Sequence, residues 1–161
     1  MDLRALTRDA KIVKILNYAS ANSDRTSAVI DTLGYDGLAV IVDFATIATN
    51  AVTNIYLTCA DAASDTNTLT TGTNVADTSQ TVADDDDNQT FVIDGGKPAK
   101  RYYQLVVNKD ATNSTAESAV AILYNAKSVP TTHGAGNTSV IGDGHAAVNY
   151  EYKATLSAGT I

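Results

Sequence analysis

The run Asp84-Asp85-Asp86-Asp87 is the densest concentration of oxygen donors in the chain. Hard cations such as calcium take about six to eight oxygen ligands from a loop that curls around the ion. An EF-hand loop needs acidic side chains at alternate positions, a central Gly and a distant Glu, and this run has neither the Gly nor the Glu. Like charges in a row repel and stay hydrated, which predicts a solvated acidic loop between strands. A surface cation site of low affinity at Asp84, Asp85, Asp86 and Asp87 is the alternative.

Other candidate chemistry is thinner. A zinc site needs three or four closely spaced ligands. His133 and His145 lie in a Gly-rich stretch, and the lone Cys59 is far from both in sequence. A nucleophilic triad needs Ser or Cys, His and an acid brought together, and no Gly-x-Ser-x-Gly elbow is present. Asp94-Gly95-Gly96-Lys97-Pro98 lacks the spacing of a phosphate loop and precedes a strand rather than a helix. Gly134-Ala135-Gly136 lacks the third Gly of a dinucleotide fingerprint. The expectation is a protein without catalytic residues, bound cofactor or metal.

Charge distribution narrows the partners. The net charge is −7, from 18 acidic and 11 basic residues. Between Thr26 and Gly96 there are eleven Asp and neither Lys nor Arg. Arg4, Arg8, Lys11, Lys14 and Arg25 crowd the first 25 residues, and five more basic residues fall between Lys97 and Lys127. An acidic body repels phosphate backbones, so nucleic acid is not an expected partner. No apolar run reaches the length of about 18–20 residues that spans a bilayer, so no membrane helix is expected. The N-terminal charges argue against a signal-peptide core, and a single Cys cannot form an internal disulfide, so the chain is expected to be made and used without export through an oxidising compartment.

The elements that would position these groups are strands. Ala (25), Thr (22), Asp (16) and Asn (12) dominate, while Glu (2) is scarce and Trp absent. Asp, Asn and Thr favour turns and strands over helix interiors. Residues 2–19 are the exception. At 100° per residue Leu3, Leu6, Ala10, Val13 and Leu16 share one side and the four basic residues the other, which predicts an amphipathic helix or an arm that orders on docking. Residues 1–24 are therefore set apart from the body.

From Thr26 the period is two. Thr26–Leu33 reads as a strand, Gly34-Tyr35-Asp36-Gly37 as a turn, and Leu38–Phe44 and Thr53–Ala60 as strands. Residues 61–88 are polar, with short strands near Asn67–Thr71 and Thr78–Val82. Gln89–Ile93 ends at Asp94-Gly95-Gly96. Arg101–Asn108, with Tyr102, Tyr103, Leu105, Val106 and Val107, reads as a strand buried on both faces, followed by Ser118–Ala126. Turn signals at intervals of about 8–12 residues predict an all-β antiparallel sandwich over residues 25–128, jelly-roll-like or immunoglobulin-like. Residues 129–161 form a Gly/Thr-rich connector and a last strand. Val148, Tyr150, Tyr152, Ala154 and Leu156 lie on one side of it, and Asn149, Glu151 and Lys153 on the other.

Three segments carry a family resemblance: Lys100-Arg101-Tyr102-Tyr103-Gln104-Leu105-Val106-Val107, then Ser118-Ala119-Val120-Ala121-Ile122-Leu123-Tyr124, and earlier Tyr35-Asp36-Gly37-Leu38-Ala39-Val40-Ile41-Val42. Over roughly residues 25–127 the chain resembles the small decoration, or cement, and head proteins of tailed bacteriophages. The long N-terminal segment and the tail after Pro130 depart from that pattern. The resemblance implies a virion structural protein on the outer face of an icosahedral capsid. Its partners would be the major capsid protein and further copies of itself, as a homotrimer or a dimer. Arg4, Arg8, Lys11 and Lys14 are the expected capsid-docking residues; Val148, Tyr150 and Tyr152 are expected to pair between subunits. A neck or tail component of the same particle, and a carbohydrate-binding or adhesin-like sandwich, are the rival readings.

Overall fold

A computed structural model describes residues 6–128. One helical turn, α1 (Leu6–Asp9), precedes ten strands: β1 (Lys11–Ala21), β2 (Arg25–Thr26), β3 (Ile30–Asp31), β4 (Tyr35–Phe44), β5 (Val52–Ala60), β6 (Thr73–Asn74), β7 (Gln80–Thr81), β8 (Thr90–Gly96), β9 (Tyr102–Lys109) and β10 (Thr115–Ala126). They form two antiparallel sheets. The first, sheet A, runs β1-β10-β4-β8; the second, sheet B, runs β2-β9-β5-β6, with β3 also on β9 and β7 also on β5.

The short strands are halves of interrupted edges. β2 and β3 both border β9, through Arg25 opposite Val107 and Ile30 opposite Tyr103. Ser27 fills the gap: its N–H donates to Leu105 O, and its Oγ accepts from Leu105 N. β6 and β7 both border β5, and between them Thr78 Oγ1 accepts from Leu57 N. Merging each pair leaves eight strands in two four-stranded sheets. Numbered along the chain, the orders become 1-8-3-6 and 2-7-4-5. That alternation between sheets is the double Greek key of a jelly roll, which decides between the two sandwich topologies the sequence allowed.

Period-two alternation builds the core. Leu38, Val40, Val42 and Phe44 of β4 and Ala119, Ala121 and Leu123 of β10 face Ile55 and Leu57 of β5 and Tyr103, Leu105 and Val107 of β9. Phe44 and Phe91 close one side edge-to-face, with centroids 5.6 Å apart at 85°.

Five expectations are corrected. Residues 11–21 are a strand paired with β10 and not part of an amphipathic helix or arm. The β-branched Ile12, Val13 and Ile15 favour extended backbone, and a bulge between Lys14 and Leu16 turns the adjacent Ile15 and Leu16 both inward, which mimics a helical apolar stripe. The body thus begins at Lys11, before the expected boundary at residue 25. Tyr35-Asp36-Gly37 opens β4; the turn lies at Thr32–Tyr35, where Gly34 takes φ +91° and Tyr35 N donates to Thr32 O. Thr26–Leu33 is two short strands and not one. In place of a strand at 67–71, Ala63 and Leu69 bridge within a small polar hairpin. β9 buries one face against the core, and the inward set ends, unexpectedly, on Lys109.

Candidate binding surface

The acidic run is bound into the loops of its own end of the sandwich. Asp84 Oδ1 accepts from Asn50 N at 2.9 Å, Asp86 Oδ2 from Ala83 N at 2.8 Å, and Asp87 Oδ1 from Ile47 N. These carboxylates satisfy backbone amides that the 45–51 and 83–86 loops would otherwise leave open. Among the described residues no group of three or more His, Cys, Asp or Glu side chains is placed to hold a metal ion.

The same end holds a buried ionic cluster that the sequence reading missed. Glu117 continues the inward row Ala119-Ala121-Leu123 of β10, and Lys109 continues Tyr103-Leu105-Val107 of β9. The Lys109 and Glu117 side chains are both 0% exposed and pair directly. Arg25 Nη1 reaches Glu117 Oε1 at 2.7 Å and donates to Ala19 O; its Nη2 donates to Asn17 O at 2.8 Å. Arg25 therefore ties the β2 edge of one sheet to the β1 edge of the other. Burial pushes the Lys109 ammonium below its ordinary pKa, opposed by the Glu117 carboxylate. The signal was legible: both charged residues stand in phase with an apolar alternation, and Glu117 is one of only two Glu in the chain. A satisfied pair with a latch of this kind fixes the register of two sheets; it presents no open face to a ligand.

The surface that remains is the outer face of the β1-β10-β4-β8 sheet. Residues directly opposite in a sheet share a face. One register row runs Lys14, Val120, Ile41, Val92; the next runs Ile12, Ile122, Ala39, Asp94. Six of these eight side chains are apolar, none belongs to the buried core, and Val92 is 54% exposed. Tyr124 extends the patch. Its ring lies over Gly37, where a Cβ would stand 2.1 Å from it, and its hydroxyl donates to Asp94 Oδ1 at 3.1 Å.

The other sheet is treated differently. Asn54 and Asn108 bond side chain to side chain across its outer face, and Thr58 Oγ1 donates to Gln104 O. Gln104 Nε2 donates to Asn67 O and Ser27 O, and Val29 N donates to Thr66 O. These bonds fasten the 62–70 hairpin over that face, so Gln104 is buried although it points away from the core.

The expected docking residues disperse. Lys11 stands opposite inward-facing Leu123, and its charge acts on Asp31; Lys14 stands opposite outward-facing Val120. A spacing of three shares a face on a helix and splits across the two faces of a strand. Arg8 lies in α1, and Arg4, Val148, Tyr150 and Tyr152 lie outside the described residues. Four of the five later basic residues enter ion pairs: Lys100 with Asp61, Arg101 with Asp31, Lys127 with Asp36, Lys109 with Glu117. No family model matches this chain, and neither does any curated protein.

Proposed function

We propose that this chain is a structural protein of a phage particle that binds the outer surface of the icosahedral shell and stabilises it by bridging capsomers. The observation that carries the reading is a stiff eight-strand jelly roll braced by the enclosed cluster of Glu117, Lys109 and Arg25. Such a body resists deformation and leaves adhesion to its surface and its terminal segments. Jelly rolls recur in viral coat proteins and in lectins, so the architecture is an analogy and the resemblance of residues 25–127 supplies the direction. Many weak contacts repeated on one lattice sum to firm attachment through high effective concentration. The partners in this reading are the major capsid protein and further copies of the chain, with a trimer matching a threefold position.

Docking falls to the basic residues Arg4 and Arg8 of the N-terminal segment together with Lys14 on the outer face of β1. The test is a pelleting assay with purified shells. Arg4→Glu, Arg8→Glu and Lys14→Glu together should abolish occupancy while the urea transition stays cooperative. Undiminished occupancy would remove the docking assignment. Copy number per particle separates the shell from its rival: a protein found in a few copies at one vertex is a neck or tail component.

A further inference from the structure

We infer that residues 17–23 form a flap that opens as a unit while the rest of the sandwich stays folded, with the Arg25 guanidinium as its clasp. This goes beyond the shell-binding reading and does not depend on it.

The flap has fixed ends and little packing between them. On one side Ile15 and Leu16 anchor β1 in the core. On the other, Asp24 Oδ1 accepts from Lys109 N at 2.7 Å, and β2 begins at Arg25. Between these anchors Asn17, Tyr18, Ala19 and Ser20 are exposed in succession, Ala21 is half-buried, and Asn22 and Ser23 are exposed. A strand packed on one face alternates between buried and exposed residues. Four exposed residues in a row mean that neither face of this stretch is covered, so apolar burial does little to hold it.

The ladder is also weakest here, and the clasp enters where it breaks. The pairing of β1 with β10 shifts register between Lys14 and Leu16 and again between Leu16 and Ala19. Beyond the second shift three pairs remain: Ala19 with Glu117, Ser20 with Ala116 and Ala21 with Thr115. Arg25 comes from the other sheet. Its Nη1 donates to Ala19 O on β1 at 2.9 Å and to Glu117 O on β10 at 3.3 Å, and its Nη2 donates to Asn17 O at 2.8 Å. One planar, permanently charged fork thus joins two strands across the irregular stretch. The Glu117 carboxylate accepts from the same Nη1 at 2.7 Å and is itself held by Lys109, so the buried cluster fixes where the clasp stands. A hydrogen bond to a charged group is worth about a factor of ten or more in an equilibrium constant, which makes these bonds the main hold on the flap. Opening bares the edge of β10 from Thr115 to Glu117.

Native-state hydrogen exchange of the full chain, read by mass spectrometry at a series of low urea concentrations, tests the inference. Amides of 19–21, the paired part of the flap, should exchange more slowly than an open chain. They should still exchange at least about tenfold faster than those of β4, β5 and β9, with a rate nearly independent of urea, because a local opening exposes little surface. Arg25→Lys keeps a positive charge beside Glu117 but has no fork to span two strands. It should speed exchange of 19–21 at least about tenfold further and leave β4, β5 and β9 unchanged. Arg25→Gln should do the same, which covers the case in which Arg25→Lys fails to fold. Exchange of 19–21 that matches β4, β5 and β9 in rate and urea dependence overturns the flap. Amides of 19–21 that are unprotected in the native chain, or unaffected by both substitutions, overturn the clasp. Loss of the whole fold in both variants overturns the inference as well, since Arg25 would then hold the entire sandwich.

Discussion

The two ends of the sandwich use charge in opposite ways. At one end Glu117 and Lys109 are fully enclosed, Arg25 latches both sheets, and the carboxylates of Asp24, Asp84, Asp86 and Asp87 accept from backbone N–H groups of Lys109, Asn50, Ala83 and Ile47. At the other end the pairs Asp31–Arg101, Asp61–Lys100 and Asp36–Lys127 sit in water. Similar residue types carry different weight. A desolvated ion has no substitute for its partner, whereas an exposed one falls back on solvent. The enclosed end therefore depends on charge, and the exposed end on packing and on one tyrosine.

The contrast is broken most directly at Glu117. Glu117→Gln leaves the Lys109 ammonium buried without its counter-charge and should cost about 3–5 kcal/mol, read as a lower urea midpoint at constant m-value. Pairing Glu117→Leu with Lys109→Met should recover most of that loss, since apolar replacement of a whole buried pair is near neutral. A double variant as unstable as the single would show that the cluster acts through its hydrogen bonds, from Arg25 to Glu117 and from Lys109 Nζ to Thr115 O at 3.4 Å, and not through its enclosed charge.

At the exposed end the largest effect is steric. Gly37→Ala would drive a methyl group into the Tyr124 ring and should cost about 1–3 kcal/mol. Next comes Tyr103→Phe. The Tyr103 hydroxyl accepts from Ala99 N at 2.8 Å and Lys100 N at 3.3 Å, and its removal should cost about 1–2 kcal/mol, with faster exchange of the Ala99 amide.

The smallest effect belongs to Asp31. The hydrogen bonds from Arg101 hold its carboxyl below the ordinary aspartate pKa, against the opposing effect of partial burial. Its stabilisation is present above the unfolded value and is lost as pH falls through the lower folded value, below about pH 4. The pair is exposed, so Asp31→Asn should flatten the acid limb of the stability curve by less than about 1 kcal/mol, and less again in high salt.

Much of the body was legible because its signal is local. Leu38-Val40-Val42-Phe44 and Ile55-Leu57 alternate cleanly, and β4, β5, β9 and β10 lie close to where that alternation put them. Residues 11–21 were misread because Ile12-Val13 and Ile15-Leu16 satisfy both periods once a bulge is allowed, and a bulge depends on the partner strand. The acidic run lies exposed, as its charge predicted, with Asp86 half-buried. Its length said nothing of the amides of Asn50 and Ile47, which are distant in sequence and near only after the loops meet. Glu117 and Lys109 were overlooked although each stands in phase with an apolar row, because a charged residue at a strand end is ordinarily turned to water.

By itself the amino-acid sequence determined an all-β body, the inward rows of its long strands and the segregation of charge, since side-chain alternation and turn chemistry act over a few residues. Only the tertiary structure decided the jelly-roll strand order, the enclosure of Glu117 with Lys109 and Arg25, and the covering of one outer face while the other displays Val120, Ile41 and Val92. Those outcomes depend on which distant strands pair and in what register, and chain closure sets that for the molecule as a whole.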